Sequence, residues 1–419
     1  MGFGDVPPEV GRLDSYSFIA RTVLTPITSG RHTLSLASIG PATLFLDDEP
    51  LLERSGSMDA KGPLFFTYGS DEVVATVDMV AGRPYQVRVE YHSHDRQLRP
   101  EEAVHLEPME DKFQGFRIGF EEYDPTDRPL EASHLARDCD AAIVVVGRDK
   151  EWETESQDIP HLELPGEQVR LIQELASACR RVVVIVQAGT PVITDPWIDD
   201  VDAVLYTWYQ GQELGNAALD VLAGHVNPSG RLPVTFPKRL QDCPAYSSFP
   251  GEQNESYYTE GLHIGHRWWD LVGTMPAFPI GFGLSYNTFS LEPSSISATS
   301  LGARPEDKLS MYVTVTNRGG SDLPGRETVL VWCAQEEPRR LARPVKQICG
   351  FAKSKPLHAD EAELVEVTTD GYAFGMWDPS RGTWVIDRGA VFTISIGRTA
   401  LDAVPTWTVV ANEEVSWLK

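Results

Sequence analysis

The spacing of hydrophobic positions along the chain changes twice. From about Phe18 to Phe120, short runs such as FIARTVLTP, RHTLSLASI, ATLFLDD, EVVATVDMV and YQVRVEYHS alternate apolar with polar residues and are broken by Gly, Pro and Asp. A two-residue period turns successive side chains to opposite faces, so this stretch predicts an all-β sandwich or barrel. From about His134 to Asn287 the runs AAIVVVG, RVVVIVQAG and AVLYTWYQG are almost continuously apolar, and GEQVRLIQELASACR and ELGNAALDVLAG have helical spacing. That pattern predicts a parallel sheet with helices covering both faces. From about Ser290, LSMYVTVTNRG, ETVLVWCAQ, ELVEVTTD and AVFTISIG restore the two-residue period and predict a second β-sandwich. The predicted class is multidomain, α/β plus all-β, with chemistry expected in the middle block, where the loops at the ends of α/β sheets usually hold ligands.

Composition supports this division. A chain of 419 residues exceeds what one core usually sustains, and 10 Trp, 13 Tyr and 16 Phe supply material for large cores. The formal charge of −25 repels nucleic-acid phosphates and anionic membrane surfaces, and no basic patch offsets it, so neither is expected as a partner. No window approaches the roughly 18 apolar residues of a membrane span. Five scattered cysteines without C-x-x-C spacing suggest buried thiols in a reducing compartment, and the N-terminus has neither a basic nor an apolar leader region. The expectation is a cytoplasmic protein, secreted only if an upstream segment is missing. Asn254 begins an N-E-S sequon that matters only in that second case.

Most catalytic motifs are absent. The sequence has no G-x-S-x-G, no H-E-x-x-H and no G-x-x-x-x-G-K, and its ten histidines have no ligand-like spacing. No metal and no cofactor is expected; the G-F-G of PIGFGLSY comes after a proline-rich segment rather than a strand. The exception is the stretch DKEWETESQDIPHLELPGEQ at 149–168, which clusters Glu151, Glu153, Glu155 and Asp158 around Trp152 just after the apolar run AAIVVVG. A carboxylic acid protonates a leaving oxygen at neutral pH only if its pKa is raised, and an apolar setting beside Trp152 would do that. A charged loop that merely keeps the surface soluble explains the composition as well.

The acidic cluster, together with LELPGEQVRLIQEL, VVVIVQAGTPVITDPWIDDVDAVLYTWYQGQELGNAALDVLAGHVNPSGRLPVTFP, YYTEGLHIGHRWWD and FPIGFGLSYNTF, resembles the C-terminal α/β sandwich domain of glycoside hydrolase family 3 β-glucosidases. MYVTVTNRGGSDLPGRETVLVW, RPVKQICGF and WVIDRGAVFTISIG resemble the fibronectin type III-like domain that ends those enzymes, and YSFIARTVLTPITSGRHTLSLASIGPATLFLDD resembles part of their protective-antigen-like sugar-binding module. The resemblance implies three domains, 1–125, 126–288 and 289–419. It also implies a β-glucoside substrate, or another small glycosylated or hydrophobic molecule, and retaining hydrolysis by a nucleophile and an acid/base about 5 Å apart. The family's (β/α)₈-type barrel, which carries the aspartate nucleophile, has no counterpart in the sequence, so this chain is expected to supply one carboxylate of the pair and to be weak or inactive alone. Without the barrel, a face around Trp268 and Trp269 is expected to favour self-association or a partner.

Relatives commonly read Trp-Glu-Ser-Glu-Gly-Tyr-Asp-Arg in this loop, with the glutamate before glycine as acid/base. Aligned on Trp152, that role falls on Glu155, with Glu153 as runner-up. The sequence departs from the pattern at Ser156, Gln157 and Ile159, which leaves the loop without its glycine and its anchoring arginine. Trp152, Asp158, Trp208 and Tyr209 are the candidate substrate contacts, although aromatic residues at strand ends commonly serve the core. Asp47 and Asp48 match an acidic turn of the sugar-binding module, and an ordinary turn explains them equally well. Two other functions fit the residues: a non-hydrolytic carbohydrate-binding or scaffold protein, and a fold repurposed for acid catalysis on a small molecule.

Overall fold

The computed structural model describes residues 15–55, 69–93, 115–155, 158–253, 255–337 and 340–418; Asn254, Ser156 and Gln157 lie outside the described residues. The chain divides into two compact units, the first built from 1–132 with 149–160 and the second from 133–148 with 161–419.

The first unit holds β1 (Ser17–Leu24), β2 (Gly30–Ile39), β3 (Ala42–Leu46), β4 (Glu49–Arg54), β5 (Val73–Met79), β6 (Tyr85–His92) and β7 (Gly115–Glu121). They pair antiparallel in two sheets, β1-β6-β3-β4 and β5-β2-β7. Alternation decides the faces. Tyr85, Val87, Val89 and Tyr91 of β6 turn inward and pack with Leu34, Leu36, Ala42, Leu44 and Met79, whereas the intervening Gln86, Arg88 and Glu90 do not join this core. At the β3–β4 hairpin, Asp47 and Asp48 both adopt positive φ, 50° and 66°, as a two-residue turn matching strand twist requires. The Asp47 carboxylate accepts hydrogen bonds from the Gln86 backbone N–H at 2.8 Å and from Arg83 at 3.0 Å, so the acidic turn holds itself together.

The second unit continues from α1 (Arg128–Ala136), a helix that begins in the first unit's range and that the sequence pattern does not announce. It then contains β8 (Ala142–Gly147), α2 (Gln168–Ala178), β9 (Val182–Gln187), β10 (Ala203–Tyr206), α3 (Leu214–Leu222) and α4 (His266–Val272). The three strands form a parallel sheet in the order β10-β9-β8. Central β9 buries Val182, Val184, Ile185 and Val186, as a covered strand should. The expectation of cover on both faces fails for β8: as the edge strand it buries Val144 and Val146 but leaves Ile143 and Val145 58% and 57% exposed. No helix among the described residues is long and apolar enough to cross a membrane.

The same unit ends in the second sandwich: β11 (Phe289–Ile296), β12 (Lys308–Asn317), β13 (Thr328–Gln335), β14 (Gln347–Lys353), β15 (Ala362–Asp370), β16 (Met376–Asp378), β17 (Thr383–Ile386), β18 (Val391–Gly397), β19 (Val404–Val410) and β20 (Val415–Trp417). Its sheets run β11-β12-β15 and β14-β13-β18-β19, with a small third sheet β16-β17-β20. Leu309, Met311, Val313 and Val315 of β12 meet Val329, Val331, Phe392 and Ile394 in the core. The sandwich is tied to the α/β part by a nearly buried ion pair, Arg231 to Glu327 at 2.8 Å, whose side chains are 8% and 3% exposed. A second link is Lys346 to Asp270 at 3.2 Å.

Candidate active-site loop

The end of β8 is built to launch a loop. Gly147 lies so close to β9 that a Cβ there would sit 1.9 Å from the Gln187 carbonyl oxygen. Its backbone N–H and C=O are both taken by the Gln168 side-chain amide at 2.7 and 3.0 Å, which closes the free strand edge as a partner strand would. Arg148 comes next, buried despite its charge; its guanidinium donates to Thr190 Oγ1 at 2.7 Å and to the carbonyls of Glu163 and Pro191 at 3.3 and 3.4 Å. Tyr209 Oη donates to the Arg148 carbonyl at 3.0 Å. The strand exit in the second unit is thereby fixed by groups up to 61 residues distant in sequence.

The loop itself, Asp149–Pro160, groups with the first unit. It opens with a tight turn in which the Trp152 and Glu153 N–H groups donate to the Asp149 carbonyl at 3.1 and 2.9 Å, and the Glu151 N–H donates to Asp149 Oδ1 at 2.9 Å. Glu151 is held by Arg117 of β7 at 2.7 Å. Sequence reasoning missed this anchor because its partners are 34 residues apart and both look like ordinary surface charges. Trp152 and Glu153 are half-buried, and each makes further interactions. Glu155 and Asp158 are exposed and make no hydrogen bond or ion pair among the described residues. Glu155 is thus exposed among the described residues rather than enclosed beside Trp152.

Trp208 and Tyr209 stand at the C-terminal end of β10, in the second unit. Trp208 takes a positive φ of 56°, uncommon for a bulky residue, and packs 4.8 Å from Tyr206 and 6.2 Å from Phe236 in an aromatic cluster. Tyr209 is 55% exposed, and its hydroxyl is engaged at the loop root. The structure thus brings Trp152, Glu153, Glu155 and Asp158 together on one loop and places Trp208 and Tyr209 separately, beside the strand exit. Glu213 immediately precedes α3 but makes no capping bond to its backbone; its carboxylate accepts from the Asn216 side chain at 2.6 Å. Trp268 and Trp269 are half-buried rather than displayed, with Trp268 Nε1 donating to the Asp242 carbonyl at 3.1 Å, and the exposed apolar side chains near them in sequence are Leu262, Ile264, Leu271 and Val272.

In this chain a parallel sheet whose edge strand exits into the acidic loop is followed by a second β-sandwich. The family model of the glycosyl hydrolase family 3 C-terminal domain matches residues 38–286, more than half of the chain, and a fibronectin type III-like domain matches 327–400. The chain belongs to glycosyl hydrolase family 3. It is 38% identical over 351 residues to a β-glucosidase of Rhizobium radiobacter, covering 82% of this chain and 41% of that protein. It is 31% identical over 421 residues to probable β-glucosidase K of Emericella nidulans, covering 100% of this chain and 47% of that protein. Among solved structures, the β-glucosidase of Kluyveromyces marxianus in complex with glucose superposes with a TM-score of 0.81 at 29% identity, covering 96% of this chain and 45% of that one. The chain thus spans less than half the length of these relatives.

Proposed function

We propose that these residues form the acid/base-bearing part of a retaining β-glucosidase, with Glu155 as the acid/base, Glu153 as its runner-up, and an aspartate nucleophile contributed by a family barrel outside the 419 residues. Glu155 in its acid form protonates the glycosidic oxygen as the nucleophile takes the anomeric carbon; as carboxylate it then draws a proton from the water that releases the sugar. The observation that carries the reading is the difference among the loop carboxylates. Glu151 is committed to Arg117 and Glu153 is half-buried with other interactions, whereas Glu155 is exposed and uncommitted at the position aligned on Trp152. Asp158 and Trp152 are the substrate contacts proposed on this loop; Trp208 and Tyr209, in the second unit, are proposed as sugar contacts on their own account.

The reading is tested by leaving-group dependence after a separately expressed family barrel has been added. Glu155→Gln should cut kcat/KM for an alkyl β-glucoside by about 10²- to 10⁴-fold, the usual worth of general acid catalysis, and spare kcat/KM for a dinitrophenyl β-glucoside, whose leaving group needs no proton, while kcat on that substrate falls because water is no longer activated to release the sugar. An equal loss on both substrates, or a larger loss with Glu153→Gln, removes Glu155 from the role.

A further inference from the structure

The small sheet of β16, β17 and β20 carries a row of tryptophans that the acidic loop does not use and of which only Trp417 also packs against the sandwich core. In its register Trp377 stands opposite Trp384, and Trp384 opposite Trp417. Direct cross-strand partners project from the same face, so the three indoles form a ladder across the sheet. Their ring centres are 6.0 and 6.4 Å apart; Trp384 and Trp417 lie within 12° of parallel, and Trp377 is turned 66° from Trp384, so the row is twisted rather than flat. Tyr372 extends the row, 5.4 Å from Trp417. Met376, Val385 and Val415 of the same strands are buried, so the sheet meets its packing needs with other side chains. Trp377 is 44% and Tyr372 41% exposed, and Trp384 and Trp417 are half-buried. Trp417 lies against Gly375, where a Cβ would come within 2.3 Å of the ring.

We propose that this ladder is a carbohydrate-binding platform for an extended, neutral β-linked glucan chain, whose pyranose C–H faces stack on successive rings. Contiguous exposed aromatic surface marks a binding site more often than a neutral surface. The charges around the row leave a negative surplus: Arg381 pairs with Glu414 at 2.8 Å, Arg340 is shared between Asp378 and Asp387, and the Tyr372 hydroxyl donates to Glu306 at 3.0 Å. That surplus repels a phosphate or an acidic polymer, whereas rings flanked by polar groups suit a ligand with apolar faces and hydroxyl edges. The row of rings favours a chain over a single sugar. The choice of a glucan rests on the proposed β-glucosidase reading, but the platform shares no residue with the acidic loop, and its test needs no turnover.

The test titrates the 419-residue chain with cellopentaose and with laminaripentaose, monitored by calorimetry and tryptophan fluorescence, and adds co-sedimentation with insoluble cellulose. Saturable, salt-insensitive binding to at least one probe is expected. Trp377→Ala should weaken it about tenfold and Trp384→Ala at least as much, and Trp377→Tyr should retain most of it. Trp377 is a surface residue, so its variants decide the question even if Trp384→Ala fails to fold. Absence of binding to all three probes, or binding that Trp377→Ala leaves unchanged, overturns the proposal. So does a ladder whose substitution alters only self-association in sedimentation. Glucan binding without hydrolysis is the outcome expected of the chain alone, so the platform stands or falls on this titration and the catalytic reading on the assay with an added barrel.

Discussion

Glu327 and Glu151 each face an arginine at nearly the same distance, 2.8 Å to Arg231 and 2.7 Å to Arg117, yet the first side chain is 3% exposed and the second 51%. Equal geometry gives unequal energetics. In the buried pair neither charge recovers its hydration if the other is removed, so breaking it leaves an uncompensated ion inside the joint between the α/β part and the second sandwich. In the exposed pair water replaces whichever partner is lost, and the interaction contributes roughly 0–1 kcal/mol. Glu151 of the 149–160 loop belongs to the second kind, and the exposed Glu155 and Asp158 make no hydrogen bond or ion pair among the described residues. The strand exit before the loop is fixed by contrast, with Gly147 held by Gln168 and Arg148 by Thr190.

The contrast breaks first at the buried pair. Arg231→Ala or Glu327→Ala should lower unfolding free energy by about 3–5 kcal/mol in denaturant titrations, and replacing both with well-packed apolar residues should recover much of the loss. A loss under about 1 kcal/mol for either single change would mean that the pair behaves like a surface one. At the loop root, Gly147→Ala forces a methyl against the Gln187 carbonyl and should cost about 1–3 kcal/mol, with altered susceptibility of the 149–160 loop to proteolysis.

A smaller effect is expected at His266 of α4, whose ring packs edge-on against Trp332 at 5.2 Å. Burial, aided by Arg267 and Lys346, pushes its pKa down from 6.5 to about 4. The unfolded chain then binds this proton more readily than the folded one, so the His266 contribution leaves stability unchanged above about pH 6.5 and lowers it progressively as pH falls toward about 4. Asp270 acts in the opposite sense, because burial raises its carboxyl despite Lys346. The difference between the unaltered chain and His266→Gln isolates the histidine: the variant should lose less stability across that window, and parallel pH profiles would refute the assignment. Smallest of all, Arg117→Ala should change global stability by less than about 1 kcal/mol while raising proteolysis within 149–160; an unchanged cleavage rate would show that Glu151 does not tether the loop.

Regular period and composition made the fold largely legible. The alternation in LSMYVTVTNRG became β12 with Leu309, Met311, Val313 and Val315 inside, and the apolar runs AAIVVVG and RVVVIVQAG became adjacent parallel strands. Cover over β8 was misjudged because an edge strand and a central strand have the same hydrophobic run, and only the neighbouring strand order distinguishes them. The site was legible at the level of residue type: acids, a tryptophan and their spacing. Its geometry was not, because the contacts that fix it, such as Arg148 with Thr190 or Tyr209 with the Arg148 carbonyl, join positions 42 and 61 residues apart. The positive φ of Trp208 likewise leaves no mark in the sequence, where a bulky residue argues against such a backbone.

The central claim is that Glu155 supplies the proton and that the nucleophile comes from outside these residues. It is tested most directly by nitrophenol release from an aryl β-glucoside, using the 419-residue chain alone, the chain with a docked family barrel, and the same pair carrying Glu155→Gln. Little or no release from the chain alone, turnover on adding the barrel, and loss of that turnover in the Glu155→Gln pair are predicted, since proton donation supplies no group to capture the sugar and, without the Glu155 carboxylate, water is not activated to release it. Vigorous turnover by the chain alone that survives Glu155→Gln would contradict both halves of the claim.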